Sequence, residues 1–233
     1  METPVVKLSD EELKTVYNPS EDSYLLIDAL EEDLQNILYA TKPAICLEIG
    51  SGSGIVITAL AMALKPFHNA HFIAIDINPD ACRATKRTSL INSVDVDVLH
   101  MNLLDCIQVK NTYDVILFNP PYVVTEYEEV LENRLIFKTW AGGKNGRQVM
   151  EQIFTLIPKI LSNGGLFYLV VIKENDPEYI LSVFYKLGMS GRIIRERKSL
   201  RSILLISNAI NTTSYRYSIL REMSTTVIRG LHE

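Results

Sequence analysis

Four consecutive residues, Asn119-Pro120-Pro121-Tyr122, place hydrogen-bond acceptors on unusually stiff backbone. They follow the apolar run Asp114-Val-Ile-Leu-Phe118, which reads as a short core strand of a parallel sheet. Two prolines in a row end the ladder and forbid a helix. Asn119 therefore stands at the carboxyl end of a strand, the edge of an open α/β sheet where ligands bind. Asn119 supplies a side-chain carbonyl and Pro120 a main-chain carbonyl. Together they can grip both hydrogens of a flat NH2 group, and Tyr122 can lie against its plane. An amide or aromatic amine is a weak nucleophile because its lone pair is delocalised. Accepting from both N–H groups stabilises the positive charge that develops on nitrogen during reaction. A plainer reading also fits these four residues alone: a Pro-Pro turn capping a strand, with Asn119 bonded to local backbone.

An earlier stretch bears on the choice. Ala44-Ile-Cys-Leu-Glu-Ile49 reads as a strand, Gly50-Ser-Gly-Ser-Gly54 as a tight turn, and the Ala/Leu-rich run to about Leu64 as a helix. Strand, glycine turn and helix make a nucleotide-binding βα unit. A dinucleotide site wants G-x-G-x-x-G, but Ser53 or Ile57 stands where the third glycine belongs. Glu48, two residues before the first glycine, would repel a pyrophosphate and attract an ammonium or sulfonium group. That favours S-adenosylmethionine over NAD, with Gly50 and Gly52 letting the backbone approach the cofactor. The second strand, His71-Phe-Ile-Ala-Ile75, ends at Asp76, where an acid can take both ribose hydroxyls.

The remaining elements must hold these residues. Ser20 is a candidate N-cap, and Glu21 and Asp22 suit the positive end of a helix whose apolar face runs to about Tyr39. A helix is expected from about Pro79 to Asn92. Val94–Met101 alternates Val and Asp as an exposed edge strand does. Asn102-Leu-Leu-Asp105 leaves its carboxyl end. Residues 123–146, with Trp140, lack periodicity and read as a lid or binding loop. Arg147–Leu161 reads as a helix kinked at Pro158. Asn163-Gly-Gly165 then turns the chain into the strand Leu166–Ile172. A helix over about Pro177–Leu187 precedes two strands, Gly191–Arg197 and Arg201–Ser207, joined by a hairpin at Lys198-Ser-Leu.

The chain has 233 residues, 47% of them hydrophobic and 22% charged, enough for one globular domain with a sizeable core. A formal net charge of −5 argues against holding long nucleic acid by charge. No transmembrane span or signal peptide is evident, so no membrane association is expected. Three separated cysteines, Cys46, Cys82 and Cys106, fit reduced thiols of an intracellular protein. The four histidines form no ligand-spaced cluster with them, and no metal is expected.

With these motifs in order, the chain resembles the class I S-adenosylmethionine-dependent methyltransferases. These are α/β proteins with a Rossmann-like seven-stranded sheet whose last strand pair is antiparallel. Within them it resembles the HemK-type protein glutamine methyltransferases, in the eukaryotic and archaeal form that modifies class 1 translation release factors. The matching segments are Tyr17-Asn-Pro-Ser-Glu-Asp-Ser23, Leu47-Glu-Ile-Gly-Ser-Gly-Ser-Gly54, Asp76-Ile-Asn-Pro79, Phe118-Asn-Pro-Pro-Tyr-Val-Val-Thr125, Trp140-Ala-Gly-Gly-Lys-Asn-Gly-Arg147 and Lys173-Glu-Asn175. They lie between about Val16 and Ser207. The NPPY motif alone is shared with adenine-N6 methyltransferases.

The resemblance implies that Glu48 and Gly50 hold the methionine end of the cofactor and Asp76 the ribose. Asn102 and Leu103 would frame the adenine, and Ser23 would close over the cofactor. Asn119 and Tyr122 would hold a glutamine amide, beside Pro120 and Pro121. Asn102 stands where the family commonly has Asp, which implies a differently tuned adenine contact. For Tyr17 and Trp140, core packing and a cofactor or substrate role both stand. The implied reaction is methylation of the glutamine in the GGQ loop of a class 1 release factor. Implied partners are a small zinc-binding activator subunit on the 94–101 edge strand and a release factor bound to its GTPase. The expected location is the cytoplasm, with the nucleus as a second candidate. An adenine-N6 DNA or RNA methyltransferase is the alternative, and lysine methylation a further activity to consider. The domain division expected is an N-terminal arm and helix over 1–43, a methyltransferase domain over 44–207, and an extension over 208–233. That extension could be a helix, a partner-binding tail or disorder.

Overall fold

A computed structural model describes residues 1–67, 69–125, 139–197 and 201–207. Its centre is a seven-stranded sheet in the order β3-β2-β1-β4-β5-β7-β6. The strands are β1 (Ile45–Ile49), β2 (His71–Asp76), β3 (Asp97–His100), β4 (Tyr113–Phe118), β5 (Leu161–Ile172), β6 (Ser190–Arg197) and β7 (Arg201–Ser207). The first five run parallel, and β7 lies antiparallel to both β5 and β6. This is a Rossmann-like seven-stranded sheet with its last strand pair antiparallel, as expected. The longer helices are α1 (Glu21–Glu32), α2 (Ile55–Leu64), α3 (Pro79–Ile91) and, near the carboxyl end, one over Pro177–Lys186. The hairpin expected at Lys198-Ser-Leu and the extension over 208–233 lie outside the described residues. No described helix is long and apolar enough to cross a membrane.

β1 and β4 are adjacent, in register from Cys46↔Val115 to Ile49↔Phe118. The glycine turn after β1 and the NPPY turn after β4 therefore leave the same edge side by side. Strand order reverses on either side of β1, so this is the switch point where an α/β sheet opens a crevice. Nearly every residue of β1, β4 and the second half of β5 is buried, which explains their unbroken apolar runs.

Several elements depart from the periodic reading. The first helix stops at Glu32, and the chain continues through a turn at Leu34–Asn36 and a π-helical turn at Ile37–Thr41. Asp33 marks the break: its carboxylate accepts from Tyr168 Oη at 2.5 Å and from Asn36 Nδ2 at 3.2 Å. Arg147–Leu161 is not one kinked helix but two four-residue pieces, Glu151–Phe154 and Ile157–Ile160. Pro158 cannot donate to the Phe154 carbonyl, so the first piece ends there. β5 already begins at Leu161, and Asn163-Gly-Gly165 forms an irregularity within it rather than its start. β3 is an edge strand, as expected, but spans only Asp97–His100. Upstream, the Val94 N–H bonds to the Ser89 carbonyl at 3.0 Å, and Val94 and Val96 are buried beneath the sheet edge.

Candidate active site

The two turns line one cavity of about 420 Å³. At the β1 end, Gly50, Gly52 and Gly54 all have positive φ. Gly54 caps α2, and a Cβ there would lie 2.7 Å from the Thr85 backbone Cα, so no other residue fits. Side chains of α3 tie the turn down: Thr85 Oγ1 donates to the Gly52 carbonyl at 3.2 Å and Thr88 Oγ1 to the Ser53 carbonyl at 2.8 Å.

Two carboxylates face this turn. Glu48 is 2% exposed, and among the described residues its Oε2 accepts only the Ile57 N–H, at 3.1 Å. Burial pushes its carboxyl well above the usual range; the Ile57 bond opposes that shift, and the Asp76 charge adds to it. Asp76 is 9% exposed and accepts from the Asn78 N–H at 2.8 Å and the Gly52 N–H at 2.9 Å. Burial raises its pKa too, against those backbone bonds and the nearby His100. Two buried acids held by backbone N–H groups, without a Lys or Arg ion pair among the described residues, suit a ligand that brings positive charge and hydroxyl donors. S-adenosylmethionine has both. Beyond β3, Asn102 donates Nδ2 to Asp105 Oδ2 at 3.1 Å, which turns its Oδ1 away as an acceptor. Leu103 adopts φ +43° beside it.

At the β4 end the arrangement centres on Asp22, at the start of α1. Its carboxylate accepts from Tyr122 Oη at 2.8 Å, Asn119 Nδ2 at 3.1 Å, Tyr17 Oη at 3.0 Å and the Ser23 N–H at 2.8 Å. The Asn119 Oδ1 is buried with no hydrogen-bond partner among the described residues. A buried carbonyl left without a donor is rare and costs about 1–3 kcal/mol. The Tyr122 carbonyl is held from behind by Asn175 Nδ2 at 2.8 Å. Asn175 is fully buried and also accepts the Ile172 N–H at 2.8 Å.

A family model described as the methyltransferase small domain matches residues 21–189. The chain belongs to that family. Methyltransferase HEMK2 of Mus musculus is 43% identical over 180 residues, covering 76% of this chain and 81% of that protein. The eRF1 methyltransferase catalytic subunit mtq2 of Schizosaccharomyces pombe is 36% identical over 220 residues, covering 88% and 94%. Among solved structures, the E. cuniculi Mtq2-Trm112 complex, described as responsible for methylation of the eRF1 translation termination factor, superposes with a TM-score of 0.58. It is 26% identical and covers 83% of this chain and 97% of that one. The chain is thus a HemK-type methyltransferase, an enzyme whose cofactor is S-adenosylmethionine.

In this methyltransferase Ser23, Glu48, Gly50, Gly52, Asp76, Asn102, Leu103, Asn119, Pro121 and Tyr122 all line the one cavity. Pro120 is buried and does not line it. Tyr17 and Trp140 do, which places both at the site rather than in the core. The Tyr122 hydroxyl is spent on Asp22, a contact that the sequence did not suggest. From the sequence Asp22 reads as a helix-start charge, because the dipole accounts for any acid there. Val149 and Gln152, from the segment expected to be plain helix, line the cavity as well. Of the loop expected over 123–146, residues 126–138 lie outside the described part. The two ends of that loop are pinned together: the Val123 N–H donates to the Trp140 carbonyl at 3.0 Å and the Gly142 N–H to the Val123 carbonyl at 2.8 Å. A second, more open depression beside the N-terminal arm is lined by charges that pair among themselves, Arg87 with Glu12, Arg83 with Asp80 and Lys14 with Glu11.

Proposed function

We propose that this methyltransferase modifies the side-chain amide nitrogen of the glutamine in the GGQ loop of a class 1 translation release factor. The observation that carries this reading is the buried Asn119 Oδ1 without a partner. It stands just past the end of β4, in the turn beside the glycine turn that follows β1, and its amide shares Asp22 with the Tyr122 hydroxyl. An acceptor in that position calls for an NH2 donor, which a glutamine amide supplies. The named activities of the relatives, one of them an eRF1 methyltransferase subunit, point to the same substrate.

The mechanism needs no protein nucleophile. The bound cofactor supplies an electrophilic methyl group on a sulfonium sulfur. Asn119 Oδ1 accepts one amide hydrogen and fixes the nitrogen's position and plane, a contribution of orientation. The fixed Asn119 dipole would stabilise positive charge developing on that nitrogen, and the extra proton would leave to solvent. Tyr122, locked between Asp22 and Asn175, bounds the site.

We further propose that a small zinc-binding activator pairs with the β3 edge, and that the release factor is presented bound to its GTPase. The Mtq2-Trm112 complex supports a small partner. The Asp97–His100 edge offers unpaired backbone groups, and Leu99 is 43% exposed on it.

The test is methyl transfer from labelled S-adenosylmethionine, with activator and GTPase-bound release factor, and mass-spectrometric mapping of the product. We expect label on the GGQ glutamine. Asn119→Ala should retain cofactor affinity and lose about 100-fold or more in turnover. Label on nucleic acid in a parallel reaction, with the release factor unmodified, would move the assignment to an adenine methyltransferase.

A further inference from the structure

Asp22 gathers more donors than any other described carboxylate near the cavity. Its two oxygens are not equivalent. Oδ1 accepts the Ser23 N–H at 2.8 Å, a backbone donor that cannot be turned around. Oδ2 accepts Tyr122 Oη at 2.8 Å and Asn119 Nδ2 at 3.1 Å. Asp22 is 3% exposed, so water does not compete for these bonds.

We propose that Asp22 is the residue that sets the polarity of the site. A carboxylate only accepts, so Asn119 must turn its NH2 toward Asp22 and its carbonyl oxygen the other way. That carbonyl is the buried Oδ1 without a partner. The orientation is therefore imposed from behind, and it makes NH2 donors, not carbonyl acceptors, the substrate class the site receives. The inference rests on the amide-nitrogen reading above and adds the group that enforces it. Asp22 also lines the cavity, and its role here is that of a positioning residue, acting through its bonds to Asn119 and Tyr122.

The geometry dictates the outcome for Asp22→Asn. The Ser23 N–H demands an acceptor at the Oδ1 place, so the new amide nitrogen must occupy the Oδ2 place. It then donates toward Asn119, whose amide turns over and presents NH2 to the substrate. One isosteric change reverses the polarity of the site. Asn119→Asp alone sets two carboxylates against each other. The double variant Asp22→Asn/Asn119→Asp restores a donor facing an acceptor, with a carboxylate oxygen again directed at the substrate.

The experiment measures methyl transfer to the GTPase-bound release factor for the four proteins with activator present, alongside S-adenosylmethionine affinity by calorimetry. Both single variants should bind cofactor within about threefold of wild type and lose about 100-fold in turnover. The double variant should regain about tenfold or more over Asp22→Asn, a coupling that independent structural damage would not give. Wild-type turnover in Asp22→Asn, or a double variant no better than the singles, overturns the proposal. If the wild-type enzyme does not methylate the release factor, the substrate assignment fails, and Asp22 is judged without substrate. The side-chain 15N–1H2 signal of Asn119, identified by its loss in Asn119→Asp, should then shift and exchange faster with water in Asp22→Asn. An unchanged signal overturns the role of Asp22.

Discussion

Glu48→Gln should stabilise the cofactor-free protein and weaken its grip on the cofactor. Glu48 is 2% exposed, and its carboxylate has one partner among the described residues, the Ile57 N–H at 3.1 Å. Burial first, and the Asp76 charge with it, holds the folded pKa well above the ordinary value. The folded chain thus keeps a proton that the unfolded chain has released. Unfolding free energy must fall as pH rises from the ordinary glutamate range, about 4.3, through the raised folded value. Each unit between the two values corresponds to about 1.4 kcal/mol. In a domain of this size 1 kcal/mol moves Tm by about 2–4 °C. Glutamine keeps the shape and the acceptor for Ile57 but cannot ionise. We expect cofactor-free Glu48→Gln to melt above wild type at pH 8, with no gain at pH 4. Replacing a charged partner of the cofactor by a neutral one removes about 1–1.5 kcal/mol, roughly tenfold in Kd. Scanning fluorimetry across pH and calorimetry with S-adenosylmethionine measure the two effects. A variant that melts lower at both pH values and binds the cofactor as wild type does would refute this account of Glu48.

Other changes test other parts of the frame. A Cβ at Gly146 would overlap the Tyr122 carbonyl and the Asn175 amide, at φ +63°; Gly146→Ala should lower stability by about 2–4 kcal/mol in denaturant titration and reduce turnover with it. Leu99→Lys on the β3 edge should change stability by less than about 0.5 kcal/mol yet abolish protection of residues 94–101 by the activator in hydrogen exchange. Asn102→Ala should weaken S-adenosylmethionine by about 3–10-fold in calorimetry, the loss of one exposed hydrogen bond.

The sheet was legible because its strands announce themselves by short apolar runs ending in Gly, Asp or Asn-Pro. β1, β2 and β4 are within a residue or so of the expected bounds. The errors fall where a single hydrogen bond overrides a pattern. The apolar spacing continues past Glu32, but Asp33 spends its carboxylate on Tyr168, a residue 135 positions away. The Val/Asp alternation suggested a longer β3, but the end of α3 takes the Val94 N–H. At the site, Glu48, Asp76 and Asn119 could be found because each sits in or just after a strand at a fixed spacing. Asp22 could not, since an acid in a helix's first turn already has a sufficient local reason. Its other role depends on Tyr17, Asn119 and Tyr122 arriving together, and only the folded chain brings residues 97 and 100 positions apart onto one carboxylate.

The two ends of the cavity are each left short of one complementary group, in opposite senses. At the β1 end, Glu48 and Asp76 accept their hydrogen bonds from backbone N–H groups, and burial raises both pKa values, with His100 partly offsetting the rise at Asp76. That end is short of positive charge, which a sulfonium and ammonium ligand would bring. At the β4 end, the Asp22 carboxylate is surrounded by four donors, and what is left over is a neutral acceptor, Asn119 Oδ1. That end lacks an N–H donor. On the proposed amide-nitrogen reading, an uncharged NH2 would satisfy that acceptor. On that reading, charge developing on nitrogen would meet a dipole fixed in advance, its direction held by the Asp22 carboxylate behind it.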